Sequence, residues 1–445
     1  MNANTLLPDP VVADSAPTGE PTPLEPTVLP VPSPRLRQAD REQMISTMRF
    51  EELLPKEHDA RIVWNFVEKL DLTDLYEKIR SLEGGPGRPA IDPRILVALW
   101  IYATLEGVGS ARALDVLCVE HNAFRWLCGG VSVNYHTLAD FRVKHDTFLD
   151  NVLTHSVAVL REQELVDLNR VAQDGMRVRA SAGAASFRRR PTLEECLREA
   201  REQVDRLRQE LASDPSVTLR QAKAQERAAR EREERVRKAL DRLPELEAKK
   251  KAQDQDKARA STTDPEATVM KMADGGFRPA YNVQFGTDTT SQVIVGVTVT
   301  TCGSDQGEMA PMVEQIHKRY ETYPDAMLVD GGFVKKEDIE AVSVPEKGCT
   351  VYAPVPKPKK EETDRHAPKP NDSPAVAEWR QRMGTAEAKE IYKDRAATAE
   401  CVNAQARNRG LVQLLVRGLE KVKTIALWFA IAHNLMRTVS LGARF

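Results

Sequence analysis

The sequence predicts an α/β protein: a sheet flanked by helices, preceded by an all-helical region and interrupted by a long helical hairpin. Three observations lead there. From about Gln43 to Leu160 the apolar period is helical, with Ile62, Phe66 and Leu70 at four-residue spacing and Val63 and Val67 beside them. Further on, β-rich runs, Ala280–Phe285 (AYNVQF) and Gln292–Thr301 (QVIVGVTVTT), are joined by the hairpin signal Gly286–Ser291 and followed by helical segments. Between these regions, Thr192 to Asp256 is dense in Arg, Glu, Lys and Gln. Leu193, Leu197, Ala200, Val204, Leu207 and Leu211 recur there at helical spacing, and Leu219, Val236, Leu240, Leu243 and Leu246 continue after the breaker Asp214-Pro215-Ser216.

Taken in order, residues 1 to 35 carry nine prolines and no apolar periodicity, the composition of a disordered tail. Gly84–Arg88 (GGPGR) is a break. Asp92-Pro93 then supplies an N-cap and a first-turn proline for a central apolar helix over 94–106, which Gly107 and Gly109 stop. Short helices follow over 110–119 and 121–127. The stretch Asn134–Phe148, with His136, Arg142, Lys144 and His145, has the form of a helix-turn-helix reader. At Asn169–Ala180 the period changes to that of a strand ending near Asp174, or to a hairpin turning at Asp174-Gly175. After the hairpin arm and the β-rich runs come a helix over 309–320 and a short apolar strand over 326–329 that delivers Asp330. A helix over 335–341, a strand over 350–353, a Pro- and Lys-rich loop over 354–374 and a helix over 375–383 follow. Lys421 to Arg437 is a long apolar helix.

Bulk charge decides nothing about partners, because 64 basic residues oppose 66 acidic ones. The six cysteines lack paired spacing, which suits a reducing compartment. Cys118, His121 and Cys128 have no fourth ligand nearby, and the two thiols are expected to be buried in a helical domain. No apolar run is long enough to span a bilayer and no signal peptide is visible, so the sequence implies a cytoplasmic protein.

The chemistry concentrates in Ile391–Leu411, an Ala-, Arg-, Glu- and Gln-rich stretch expected to be one helix stopped by Gly410. At about 100° per residue Glu400 and Arg407 fall almost on one line, with Tyr392 and Arg395 on the neighbouring arc. Mixed charge on a helix also describes a solvated face. What favours a site is the pairing with Asp174 and Asp330, each expected at a strand end, where α/β sites form. Three carboxylates from separate elements suit Mg²⁺, which takes oxygen ligands and keeps open positions for water and phosphate.

Four stretches are similar to one family: GRPAIDPRILVALWIYATLEGVGSARAL, VAQDGMRVRASAG, YNVQFGTDTTSQVIV with the later VDGGF, and YKDRAATAE through RGLEKVKTIALWFAIAHNLMR. They resemble the bacterial insertion-sequence DDE transposases with a ribonuclease-H-like catalytic core, a mixed sheet flanked by helices, and a helical N-terminal domain. The family's Y-x-x-R…E…K/R signature falls on Tyr392, Arg395, Glu400 and Arg407. Val402-Asn403 stand where relatives carry Phe-Gly, and Arg407 stands where they carry lysine. The resemblance implies a metal-binding catalytic triad of Asp174, Asp330 and Glu400, phosphate contacts from Arg395 and Arg407, and a Tyr392 that stacks on or orients a displaced base. It also implies Mg²⁺ as cofactor, with Mn²⁺ as substitute. The implied partners are double-stranded DNA, both terminal inverted repeats and target, and further copies of the chain on that DNA. No membrane partner is implied, and the location is the cytoplasm, at the nucleoid when DNA is bound. The implied domains are a tail over 1–40, a DNA-binding domain over 41–165, a catalytic domain over 166–191 and 257–445, and an inserted arm over 192–256. The implied activity is cleavage at element ends and strand joining to target. A hydrolysis-only nuclease of the same fold and an inactive DNA-binding protein are the alternatives.

Overall fold

The computed structural model describes residues 35–45, 48–82, 84, 88–213, 219–358 and 364–443. The proline-rich stretch before Arg35, the Asp214-Pro215-Ser216 break and residues 85–87 of GGPGR lie outside these. Leu36 and Arg37, within the 1–40 segment, pair in parallel with Ala90 and Ile91.

The N-terminal region is helical: α1 (Asp59–Glu68), α2 (Pro93–Leu105), α3 (Ala111–Glu120), α4 (Asn122–Cys128), α5 (Tyr135–Val143) and α6 (Asp146–Glu162). The cap forms as expected. Asp92 accepts from the Arg94 amide at 2.9 Å and from the Tyr76 hydroxyl at 2.9 Å. Because α2 is apolar on nearly every side, it is wrapped by its neighbours, with Ile95, Leu99 and Trp100 fully buried. Cys118 and Cys128 are buried free thiols, as expected of core residues.

The helix-turn-helix expectation meets a correction at Arg142. Its guanidinium turns inward, lies over the Trp100 ring at 4.7 Å and donates to the Gly109 carbonyl. Burial pushes it down to about 10. His145 is half-buried against Phe141, whereas His136 and Lys144 remain exposed.

The sheet comprises β1 (Arg170–Arg179), β2 (Thr268–Lys271), β3 (Phe277–Asp288), β4 (Ile294–Thr300), β5 (Ala326–Leu328) and β6 (Thr350–Tyr352). Its order is β4-β3-β1-β5-β6, with β2 also on β3. The β4-β3-β1 half is antiparallel and the β1-β5-β6 half is parallel, so the sheet is mixed. Between β1 and β2 rises the arm, α7 (Arg190–Ser213) against α8 (Leu219–Ala248). Leu193, Val236, Ala239 and Leu243 bury a seam separate from the main core. The remaining helices are α9 (Met309–Tyr320), α10 (Lys336–Val342), α11 (Pro374–Gly384), α12 (Ala386–Arg395), α13 (Cys401–Asn408) and α14 (Leu419–Ser440).

Helix α14 ties the halves together. It packs on α2 and α6 on one side and on β4 on the other. Asn434 bonds both the amide and the carbonyl of Ile294 at 2.8 Å, and Trp428 donates to the Arg142 carbonyl at 2.9 Å. Asn434 completes backbone bonds that the buried sheet edge would otherwise leave unmade, and Trp428 satisfies a carbonyl in the last turn of α5.

Candidate active site

Asp174 does not end a strand. β1 runs straight through it, pairing Asp174 with Phe285 and Gly175 with Gln284, so Asp174-Gly175 is neither a strand end nor a hairpin turn. What ends there is the neighbour. β5 stops at Leu328 opposite Ala172, so Asp330, two residues on, comes level with Asp174 where the parallel ladder has just closed. Alternation puts Asp174 on the sheet face that carries α12 and α13, and Gly175 on the opposite one.

Gly175 is required by close approach. A Cβ there would meet Asp305 Oδ1 at 2.2 Å and Gln284 Nε2 at 2.5 Å. Asp305 is buried and accepts from Asn282 Nδ2 at 2.7 Å, Gln284 Nε2 at 2.7 Å and Arg177 Nη2 at 3.0 Å. This network lies immediately behind Asp174 and fixes the strand that carries it.

The stretch Ile391–Leu411 is not one regular helix. Between α12 and α13, Ala396–Glu400 forms a turn of π-helix. In an α-helix the five-residue step from Arg395 to Glu400 would leave them about 140° apart. The wider π turn closes that angle, and Arg395 Nη2 donates to Glu400 Oε1 at 3.2 Å. Gly410, at φ +84, stops the helix as expected, with its amide on the Arg407 carbonyl at 3.0 Å. Small side chains bring the π turn down onto the sheet. Ala399 packs on Ala172, Ala326 and Leu328, and Arg170 Nη1 pairs with Asp394 at 3.2 Å.

Arg395 is the centre of the site. Its Nη1 stands 3.9 Å from Asp174 Oδ1, its Nη2 bonds Glu400, and its Nε donates to the Tyr392 hydroxyl at 3.2 Å. Nη1 is buried and has no hydrogen-bond partner. Tyr392 is half-buried against the core, and burial raises its phenol against the opposing pull of Arg395. Burial also lifts Asp174 above the usual carboxylate range. Arg395 opposes that rise and Asp330 adds to it, while Asn403 and the Gly175 amide favour the charged form.

Sequence reasoning missed Asn403. It is buried and donates from Nδ2 to Asp174 Oδ2 at 2.9 Å. It lies three residues beyond Glu400, a spacing that places both on one side of a helix, which is the signal that could have found it. Arg407, by contrast, does not join the acids. It is exposed and lines a separate cavity with Arg177 and Arg179.

Among the described residues no three His, Cys, Asp or Glu side chains stand close enough to hold one ion together. The donor set is nonetheless all oxygen, and burial together with Asp330 disfavours a bare charge on Asp174. A hard cation fits those groups, and Arg395 is the positive charge among them here.

Two family models match the chain. One, described as a transposase domain (DUF772), covers residues 48–144, from just before α1 through α5. The other, described as a transposase DDE domain, covers 346–439, which holds Tyr392, Arg395, Glu400 and Arg407 but neither Asp174 nor Asp330. Searches of curated proteins and of solved structures give no match. Among the described residues no helix is long and apolar enough to cross a membrane. A transposase match in the helical half and a DDE match at the end that carries the π turn together support an insertion-sequence DDE transposase.

Proposed function

We propose that this chain binds the terminal repeats of its element, cleaves their phosphodiesters and joins the freed strand to target DNA in a ribonuclease-H-like core. Asp174 and Glu400, from a strand and the π turn, both face Arg395, and Asp330 follows a strand end level with Asp174; this arrangement carries the reading. The mixed sheet flanked by helices supports the core assignment. DDE transposases use divalent metal, and we assign Asp174, Asp330 and Glu400 to hold Mg²⁺ or Mn²⁺. Such ions, when bound, would activate an attacking oxygen and stabilise a leaving one.

The chain's own groups do the positioning. Asn403 fixes one oxygen of Asp174, and the other accepts from the Gly175 amide at 3.0 Å and faces Arg395. Arg395, once its carboxylates are otherwise neutralised, is free to clamp a phosphate bidentately. Tyr392 holds that guanidinium through its hydroxyl and presents its ring to a displaced base at the cut. The helical N-terminal domain supplies recognition of the repeats.

The test uses purified Asp174→Asn and Glu400→Gln variants on labelled element ends. Cleavage should fall below detection while end binding stays nearly intact, since affinity comes from distributed Lys and Arg contacts. Wild-type cleavage in either variant would refute the assignment. Supplying a pre-cut end with a 3′-OH separates the transposase from a nuclease that only hydrolyses, because only the transposase yields joined product.

A further inference from the structure

A cavity of about 600 Å³ lies on the opposite side of β1 from Asp174. Gly175, the residue next to Asp174, forms part of its wall. So does Arg407, two turns along from Glu400 on the same helical run. The other walls are the β2–β3 hairpin, Gly303 and the chain after α13. Arg177, Arg179, Lys271, Arg278 and Arg407 all line it.

Their pairing differs in a telling way. Arg177 is fixed by Asp305 at 3.0 Å and by the Gly303 carbonyl at 2.9 Å. Arg278 pairs with Asp274 at 2.7 Å in an exposed bridge that a stronger anion can displace. Among the described residues Arg179, Lys271 and Arg407 have no ion-pair partner, and all three are exposed. Unpaired cations lining a concave surface focus positive potential and attract a polyanion.

Resting on the transposase reading above, we infer that this cavity binds the sugar–phosphate backbone of a single DNA strand, held around the edge of β1 from the acidic cluster. The volume suits a few nucleotides of one strand and not a duplex. Arg407 thereby contacts phosphate outside the acidic cluster, which explains why it lines up with Glu400 on the helix yet touches none of the acids.

The experiment measures binding of the full chain to a labelled single-stranded oligonucleotide by fluorescence anisotropy, across a salt series with a chelator present so that nothing is cut. The triple variant Arg179→Gln, Lys271→Gln, Arg407→Gln should lower the slope of log K against log salt by about 2, the value for three lost contacts to one strand. The charge-preserving triple Arg179→Lys, Lys271→Arg, Arg407→Lys should keep the wild-type slope. Thermal unfolding confirms that both fold. An unchanged slope in the neutral triple, or an equal loss in the charge-preserving one, would overturn the inference. A slope change on duplex alone would overturn the single-strand assignment. Wild-type chain with no affinity for DNA would sink the transposase reading itself, whereas an unaffected slope in a chain that still cuts element ends removes only the cavity's role.

Discussion

At the residue scale the site depends on side chains that are small as much as on those that react. Gly175→Ala would drive a methyl into Asp305 and Gln284. The strand must then shift or the buried network open, at a cost of about 1–3 kcal/mol. Because β1 carries Asp174 one residue earlier, cleavage should fall more than stability does. Chemical unfolding and cleavage rates measured on one preparation check this, and unaltered values in both would show that the network yields freely. His433 gives a pH signature. It is buried, its Nε2 lies 2.9 Å from the Gln292 carbonyl, and burial pushes it down to about 4. Its folded pKa is below the unfolded one of about 6.5, so its contribution is fully present above that pH and is lost as pH falls toward 4. The loss is on the order of 3 kcal/mol across that window. His433→Gln keeps a donor and removes the titration, so its stability should decline less than wild type between those pH values in urea melts.

The elements around the site are fastened by ionic contacts of unequal value. Asp372, in the loop before α11, has a covered side chain that binds Lys336 Nζ at 2.7 Å and Arg380 Nε at 2.6 Å. Burial works against its charge, but the Lys336, Lys369 and Arg380 contacts outweigh it and bring it down to about 2. Its stabilisation is therefore present above the ordinary Asp range and lost only as pH falls toward 2. Asp372→Asn removes the counter-charge of buried Arg380 and of half-exposed Lys336 and should destabilise the fold by about 2 kcal/mol, read as a lower urea midpoint at unchanged m. The arm is the opposite case. Beyond Arg201–Glu233, at 3.3 Å, its ion pairs are exposed and its seam is its own. Replacing residues 202–232 by a short Gly/Ser linker should move Tm by no more than about 4 °C. A larger drop in calorimetry would mean that the arm supports the core.

For the whole molecule, one apolar core runs from α1 through the sheet to α14. Helix α14 is its keystone because it is buried on two opposite sides at once. The helical region that matches a transposase domain and the sheet that carries the acids therefore share packing, and movement of one is felt by the other. Asn434→Ala should unfold both in a single transition of lowered midpoint, since it orphans the Ile294 amide and carbonyl. Two separate transitions would show that the halves fold independently.

Local chemistry by itself determined much of this protein. The Asp92-Pro93 cap, the apolar α2, the arm seam, the Gly410 stop and the helix over 309–320 follow from propensity, period and capping, which act within a few residues. The family signature picked out Tyr392, Arg395 and Glu400 together, and the structure brings them into contact. What only the tertiary structure decided involves partners far apart in the chain. Asp-Gly reads locally as a turn, but pairing with β3 holds Asp174-Gly175 extended, and Asp305 claims the space a side chain would need. The π turn costs helical regularity, and the Ala172, Ala326 and Ala399 contact selects it. Asn403 reaches Asp174 across 229 residues, and Arg142 turns inward because Trp100 and Gly109 are there to receive it. Helical period gives an angle around an axis. Which side of that axis becomes a site depends on what packs against it.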